Sequence, residues 1–180
     1  MKTIRFLNTA CALSALLLAG CGFTPMYATP TAGSGKANIV AAMSHIAIRP
    51  IPDRPGMKLR QELRELLQPK GLQGAALYDL DVTLTRTVEE LGIRSDATAS
   101  RANLVIAASF YLAEGGSRVY GDRVQSVVGY NILDDQYATV AAQADAEDRA
   151  IRAVGEQIKT RVGVYLERHP KPTTTAAAAP

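Results

Sequence analysis

Tyr78-Asp79-Leu80-Asp81-Val82-Thr83-Leu84-Thr85 is the stretch on which the fold turns. Apolar Tyr, Leu, Val and Leu alternate strictly with Asp, Asp, Thr and Thr. Successive side chains of an extended chain point to opposite faces, so this alternation describes a strand with one apolar face and one wet face. The sheet it belongs to should be covered on one side only.

Reading downstream, Leu104, Ile106, Ala108, Phe110 and Leu112 repeat the period, and Glu114-Gly115-Gly116-Ser117 has the turn residues of a hairpin. A returning strand from Val119 to Tyr130 follows, with Gly121 and Gly129 leaving its register open. Upstream, Ile46 and Ile48 form a short strand ended by Pro50, Pro52 and Pro55. Met57 to Leu67 then carries Leu59, Leu63, Leu66 and Leu67 at helical spacing, closed by Pro69 and Gly71. Its other face, Lys58, Arg60, Glu62, Arg64 and Glu65, reads as solvated.

From Asp135 to Arg168 the pattern is helical again, through Val140, Ala144, Ile151, Val154, Ile158, Val162 and Leu166, with Asp134 or Asp135 as cap. Gly155 and Gly163 weaken this helix locally, and a break near Asp145 stays open. The order is β-α-β-β-β-α. A crossover makes the first two strands parallel and hairpins add two antiparallel ones, so the expected fold is α+β, two-layer, with a four-stranded mixed sheet and two helices on one face. Leu63, Leu66, Leu80, Val82, Leu104 and Ile106 are its expected core.

Composition and the termini bound the function. In 180 residues there is room for one domain, expected over residues 39–169. Residues 1–20 read as a signal peptide, with Lys2 and Arg5 before an apolar run. The run ends in Leu18-Ala19-Gly20-Cys21, which resembles a lipobox, so Cys21 should become the mature first residue, its thiol acylated and the chain tethered to a membrane. Gly22 is not the Asp that favours inner-membrane retention in such lipoproteins, so the outer membrane is expected. Residues 21–38 read as the lipidated start and a flexible tether, and residues 170–180 as a Pro/Thr/Ala tail.

Removal of the leader takes the 20 basic residues to 18 against 17 acidic. A charge so balanced disfavours nucleic acid as a partner. With 2 His, 2 Cys and no Cys/His cluster, neither a metal site nor a cofactor is expected, and no nucleophile with its base can be named. Asp79 and Asp81 share a strand face about 7 Å apart, a spacing that solvated acids on a wet face share. His45 precedes the first strand, and His169 ends the last helix, where the dipole favours it.

Cys21-Gly22-Phe23-Thr24-Pro25-Met26-Tyr27 resembles the mature start of the LptE family of lipopolysaccharide-assembly lipoproteins. Ile48 to Arg54 with Leu59 to Leu63, Tyr78 to Leu84, and Tyr130-Asn131 with Tyr137-Ala138 are similar too. The likeness spans roughly residues 21–168, in the style of alphaproteobacterial members, departing in Met26, where Leu is commoner, and in the tail. The resemblance implies a non-enzymatic protein that sits inside the lumen of the outer-membrane β-barrel LptD, assists its assembly and helps deliver lipopolysaccharide to the outer leaflet, with the lipid-anchored chain facing the periplasm or within that lumen. An auxiliary lipoprotein of an inner-membrane lipid ABC transporter is the alternative, and a secreted hydrolase comes last.

Two surface expectations follow. Barrel contact should fall on the open sheet face and loops, at Thr83, Thr85, Arg101 and Asn103. Lipopolysaccharide phosphates call for Arg, whose planar fork can donate two hydrogen bonds to one phosphate, and residues 92–101 read as a small-residue loop carrying Arg94 and Arg101. Between residues 86 and 123, Arg86, Arg94, Arg101, Arg118 and Arg123 are matched by Glu89, Glu90, Asp96, Glu114 and Asp122, so these two arginines stand on position, not on a net basic patch.

Overall fold

A computed structural model describes residues 35–93 and 99–170. Seven elements follow in order: α1 (Gly35–Met43), β1 (Ile46–Ile48), α2 (Arg54–Leu67), β2 (Tyr78–Ile93), β3 (Ala99–Glu114), β4 (Ser117–Asn131) and α3 (Gln136–Arg168). The sheet runs β1-β2-β3-β4, β1 parallel to β2 through Ile46↔Tyr78 and the other pairs antiparallel. The α+β mixed sheet read from the alternation is therefore the fold. A further helix, α1, starts inside the stretch expected to be tether and lies against α3.

The strand phase is as the sequence reads. Leu80, Val82, Leu104, Ile106, Ala108, Phe110 and Leu112 are buried under the helices, while Thr83 and Thr85 point the other way and are exposed. Both hairpin glycines take positive φ, +54° at Gly115 and +85° at Gly116, the pairing a tight two-residue turn needs and that residues with a Cβ resist. Just beyond the turn Ala113 pairs with Arg118 but Leu112 with Tyr120, so Val119 is an extra residue on β4. Past that bulge Gly121 and Gly129 fall on the exposed face of a continuous register.

β2 and β3 run longer than the alternation alone indicated, to Ile93 and from Ala99, so the expected loop 92–101 is strand at both its ends, at residues 92–93 and 99–101. Arg101 is a β3 residue paired with Leu91 and Asn131, not a loop residue.

α2 presents Leu59, Leu63 and Leu67 fully to the core. Leu66, expected among them, is only half-buried because it sits at the α2–α3 seam, its Cδ1 3.3 Å from where a Cβ on Gly155 would be. The face expected to be solvated also takes part in that seam: Lys58 Nζ donates to Glu147 Oε1 (3.2 Å) and Asp148 Oδ1 (2.6 Å). Gln68 Nε2 ties the end of α2 to the Ile46 carbonyl.

α3 is one unbroken helix of 33 residues, started by Asp135, whose side chain accepts from the Tyr137 N–H at 2.8 Å. Its glycines are contact points: a Cβ on Gly155 would meet Glu62 Cγ at 2.9 Å, and one on Gly163 would meet Met43 Cε at 2.8 Å. The cost of glycine in a helix is thus offset by close approach of α2 and α1. Ile151, Val154, Ile158, Val162 and Leu166 are buried as expected, but Val140 and Ala144 are exposed, and Ala146 and Ala150 cover the sheet instead. The heptad-like step from Val140 and Ala144 picks a different stripe there, because alanines at 144, 146 and 150 are alike in size and polarity and do not distinguish the faces.

Candidate functional site: the open face of the sheet

Among the described residues the three helices leave one face of the sheet bare. The register sets Thr83 opposite Ser109, Thr85 opposite Ala107, Asn103 opposite Glu89 and Gly129, and Arg101 opposite Leu91 and Asn131. The expected contact residues thus share this face, but not one spot. Thr85 and Asn103 lie four register positions apart, or about 13 Å along the strands. Side chains between them are small: Thr85, Thr87, Val105 and Ala107.

The near end of this face holds a cluster that strand alternation alone did not reveal. Tyr111 Oη donates to Asp81 Oδ2 at 2.9 Å, and the Arg118 guanidinium lies over the Tyr111 ring, 3.8 Å from its centre. The cation held on the negative face of the ring fixes both side chains. Opposite, a Cβ on Gly121 would lie 3.3 Å from the Phe110 carbonyl oxygen. Phe110, Tyr111, Arg118 and Gly121, with Thr83, Ser109, Val119, Tyr120 and Asp122, line a shallow open cavity of about 560 Å³. The available signal was Tyr111 itself, an aromatic on the wet phase of its strand; the Val119 bulge that sets Arg118 beside it had no sequence mark.

Asp79 and Asp81 are both spoken for, Asp79 by Arg49 at 3.6 Å and Asp81 by Tyr111. Among the described residues no His, Cys, Asp and Glu group could hold a metal ion. His45 Nδ1 lies 3.2 Å from the Ala75 carbonyl oxygen. His169 stacks on Tyr165 at 4.5 Å and, through Nδ1, meets the Tyr165 carbonyl oxygen at 3.0 Å, as a residue closing a helix C-terminus does. Tyr165 stacks in turn on Tyr120, whose phenol burial pushes above its usual range and which donates to Asp122.

Arg101 lines a second depression of about 380 Å³ at the far end, with Gly129, Tyr130, Asn131, Leu133, Ala142, Asp145 and Arg149. Exposed apolar side chains gather in this part of the chain: Leu133 47%, Tyr137 88% and Val140 59% exposed. Arg94 and Cys21 lie outside the described residues. No helix among the described residues is long and apolar enough to cross a membrane.

A family model described as lipopolysaccharide-assembly, LptE, matches residues 43–162, from the end of α1 through most of α3. The chain belongs to the LptE family. The match takes in all four strands of the open face, with α2 and most of α3 behind them. Among solved structures, a lipoprotein from Caulobacter crescentus is 26% identical, with a TM-score of 0.59 over 73% of this chain and 97% of that one. A minor lipoprotein from Acinetobacter baumannii is 14% identical, with a TM-score of 0.53 over 67% of this chain and 92% of its own, a likeness of fold. No curated protein sequence matches the chain. LptE membership agrees with the reading of this chain as a lipopolysaccharide-assembly lipoprotein.

Proposed function

We propose that this LptE-family chain is a non-enzymatic outer-membrane lipoprotein, anchored through Cys21, that assembles with an LptD-like β-barrel protein and assists lipopolysaccharide transport to the outer leaflet. The observation that carries the reading is the family match across a domain whose sheet is bare on one face over three long strands. A face of small and polar side chains such as Thr83, Thr85, Asn103 and Ala107 can lie flat against a partner's wall. In this reading Arg94 and exposed Arg101 donate to the phosphates of lipopolysaccharide.

Affinity purification of the intact protein from membranes tests the partnership. A large β-barrel outer-membrane protein should co-purify; an inner-membrane ABC transporter in its place overturns the reading. Mass spectrometry of the extracted protein should find acylated Cys21 as the first residue, and a Cys21→Ala form that stays equally processed and membrane-bound contradicts the anchor. Replacing Arg94 and Arg101 together with Ala should weaken lipopolysaccharide binding in a salt-sensitive way with stability unchanged; unaltered binding removes them from the mechanism.

A further inference from the structure

Among the described residues, β2 is covered along its outer edge only at its beginning. The ladder to β1 starts where Tyr78 N–H donates to the His45 carbonyl and, among the described residues, ends where Arg49 N–H donates to the Leu80 carbonyl at 3.0 Å. Pro50 and Pro52 then take the chain away. Tyr78 and Leu80 therefore aim their backbone groups at this edge, and by the period of two so do Val82, Leu84, Arg86, Val88 and Glu90. That edge continues to Ile93 with no proline, lysine or register shift to blunt it. The opposite edge of the sheet differs: β4 carries the Val119 bulge, and Gln157 Nε2 of α3 donates to the Gln125 carbonyl at 3.2 Å.

We propose that this edge pairs with the same edge of a second copy, antiparallel about a twofold axis at Val88, joining two sheets into one. The sequence is self-complementary in that register. Val88 meets the second copy's Val88, and Arg86 meets its Glu90, twice by symmetry. These are hydrogen-bonded positions, because the backbone groups of all three already point outward. On the bare face Thr87 meets Glu89 and Thr85 meets Leu91. Centring the pairing on Thr87 instead sets Arg86 against Val88 and leaves Glu90 against Leu84. The lane also fits in length: the second copy's strand runs out opposite residue 83, just past Leu80, where β1 lets go. Arg86 Nε keeps its contact to Glu147 Oε2 at 3.4 Å, and a guanidinium has donors to spare for a second carboxylate. Glu90 is exposed and gains a partner. Opposite charges directly across a ladder stabilise it, and like charges oppose it. This pairing stands apart from the barrel partnership and can fail or hold independently of it.

Disulfide trapping of the full-length, membrane-extracted protein in detergent tests it. Thr87 and Glu89 form a non-hydrogen-bonded pair in the proposed register, with Cα atoms about 4.5 Å apart, close enough for a disulfide. The Thr87→Cys, Glu89→Cys form should therefore give a covalent dimer on mild oxidation, well above the parent protein. Thr85→Cys, Glu89→Cys, which fits the register centred on Thr87, should give several-fold less. Adding Glu90→Lys, which turns both cross-strand ion pairs repulsive, should cut dimer formation about tenfold with secondary structure and melting temperature unchanged. No dimer, equal trapping in both registers, indifference to Glu90→Lys, or trapping only of another protein each overturns the proposal.

Discussion

The two ends of the sheet are built differently. At the near end, around Tyr78, Leu112 and Tyr120, both α2 and α3 reach the core. Leu59, Leu63, Leu67, Val154, Ile158 and Val162 close over Leu80, Phe110 and Leu112, each 3% exposed or less. At the far end, among the described residues, α3 alone lies over the sheet and does so with Ala146 and Ala150. Only the central strand is fully covered there, at Ala102 and Leu104, while Val88, Val128 and Tyr130 on its flanks are half-buried. The boundary is a charged seam in which Glu147 of α3 meets Lys58 of α2 and Arg86 of β2. The near end thus holds the fold, and the far end carries exposed surface, including Leu91, Leu133, Tyr137 and Val140.

The sharpest test of this contrast is truncation. Leu80→Ala or Leu63→Ala at the near end should cost about 2 to 5 kcal/mol by denaturant unfolding, whereas Val88→Ala at the far end should cost clearly less because its side chain is already half-wet. Thr83→Ala, on the bare face, should stay within about 0.5 kcal/mol. Equal losses for Leu80→Ala and Thr83→Ala would show the strand phase to be wrong, and equal losses for Leu80→Ala and Val88→Ala would erase the distinction between the ends.

The helix seam comes next. Gly155→Val should destabilise by about 1 to 3 kcal/mol, because the new side chain meets Glu62 at the backbone end of its stem and Leu66 beside it. Gly163→Ala should instead be neutral or stabilising by up to about 1 kcal/mol, since only the mobile end of Met43 must move and alanine favours the helix. Thermal melts of the two variants moving in the same direction would contradict the reading of these glycines.

The boundary seam gives the smallest effect and a pH signature. The hydrogen bond to Asp148, followed by that to Glu147, holds the Lys58 ammonium above its usual range. A lysine whose folded-state pKa is raised adds stability in full below the ordinary lysine value of about 10.5 and loses it as pH climbs through the raised value. The stability difference between the parent and Lys58→Met should therefore be flat through neutral pH and shrink in strong alkali. A difference that shrinks below pH 9 would place the stabilisation elsewhere.

How much of this the sequence disclosed follows from which forces were local. The alternation at Tyr78–Thr85 settled the strand, its phase and the bare face, because burial of every second side chain leaves a mark that no distant residue can alter. The Gly115-Gly116 turn was equally local. Leu66 and Val140 depend instead on distant packing: Leu66 on where α3 crosses α2, at Gly155, and Val140 on α3 turning Ala146 and Ala150 rather than its larger side chains to the sheet. Of the expected surface residues, Thr83, Thr85, Asn103 and Arg101 share one face as read, but Arg101 belongs to a strand because β2 and β3 continue through polar positions where the period fades. The Tyr111–Arg118 pair needed a bulge that leaves no pattern. Cys21 and Arg94 lie outside the described residues.

Site-specific photocrosslinking in living cells bears most directly on the account's central claim, that the bare face is where this lipopolysaccharide-assembly protein meets a β-barrel. Photoreactive residues at Thr83, Thr85, Arg101 and Asn103 should trap a large outer-membrane β-barrel protein, while the same probes at Arg64 and Arg152, exposed on the helix layer, should not. A barrel trapped from the helices and never from the sheet would contradict the claim.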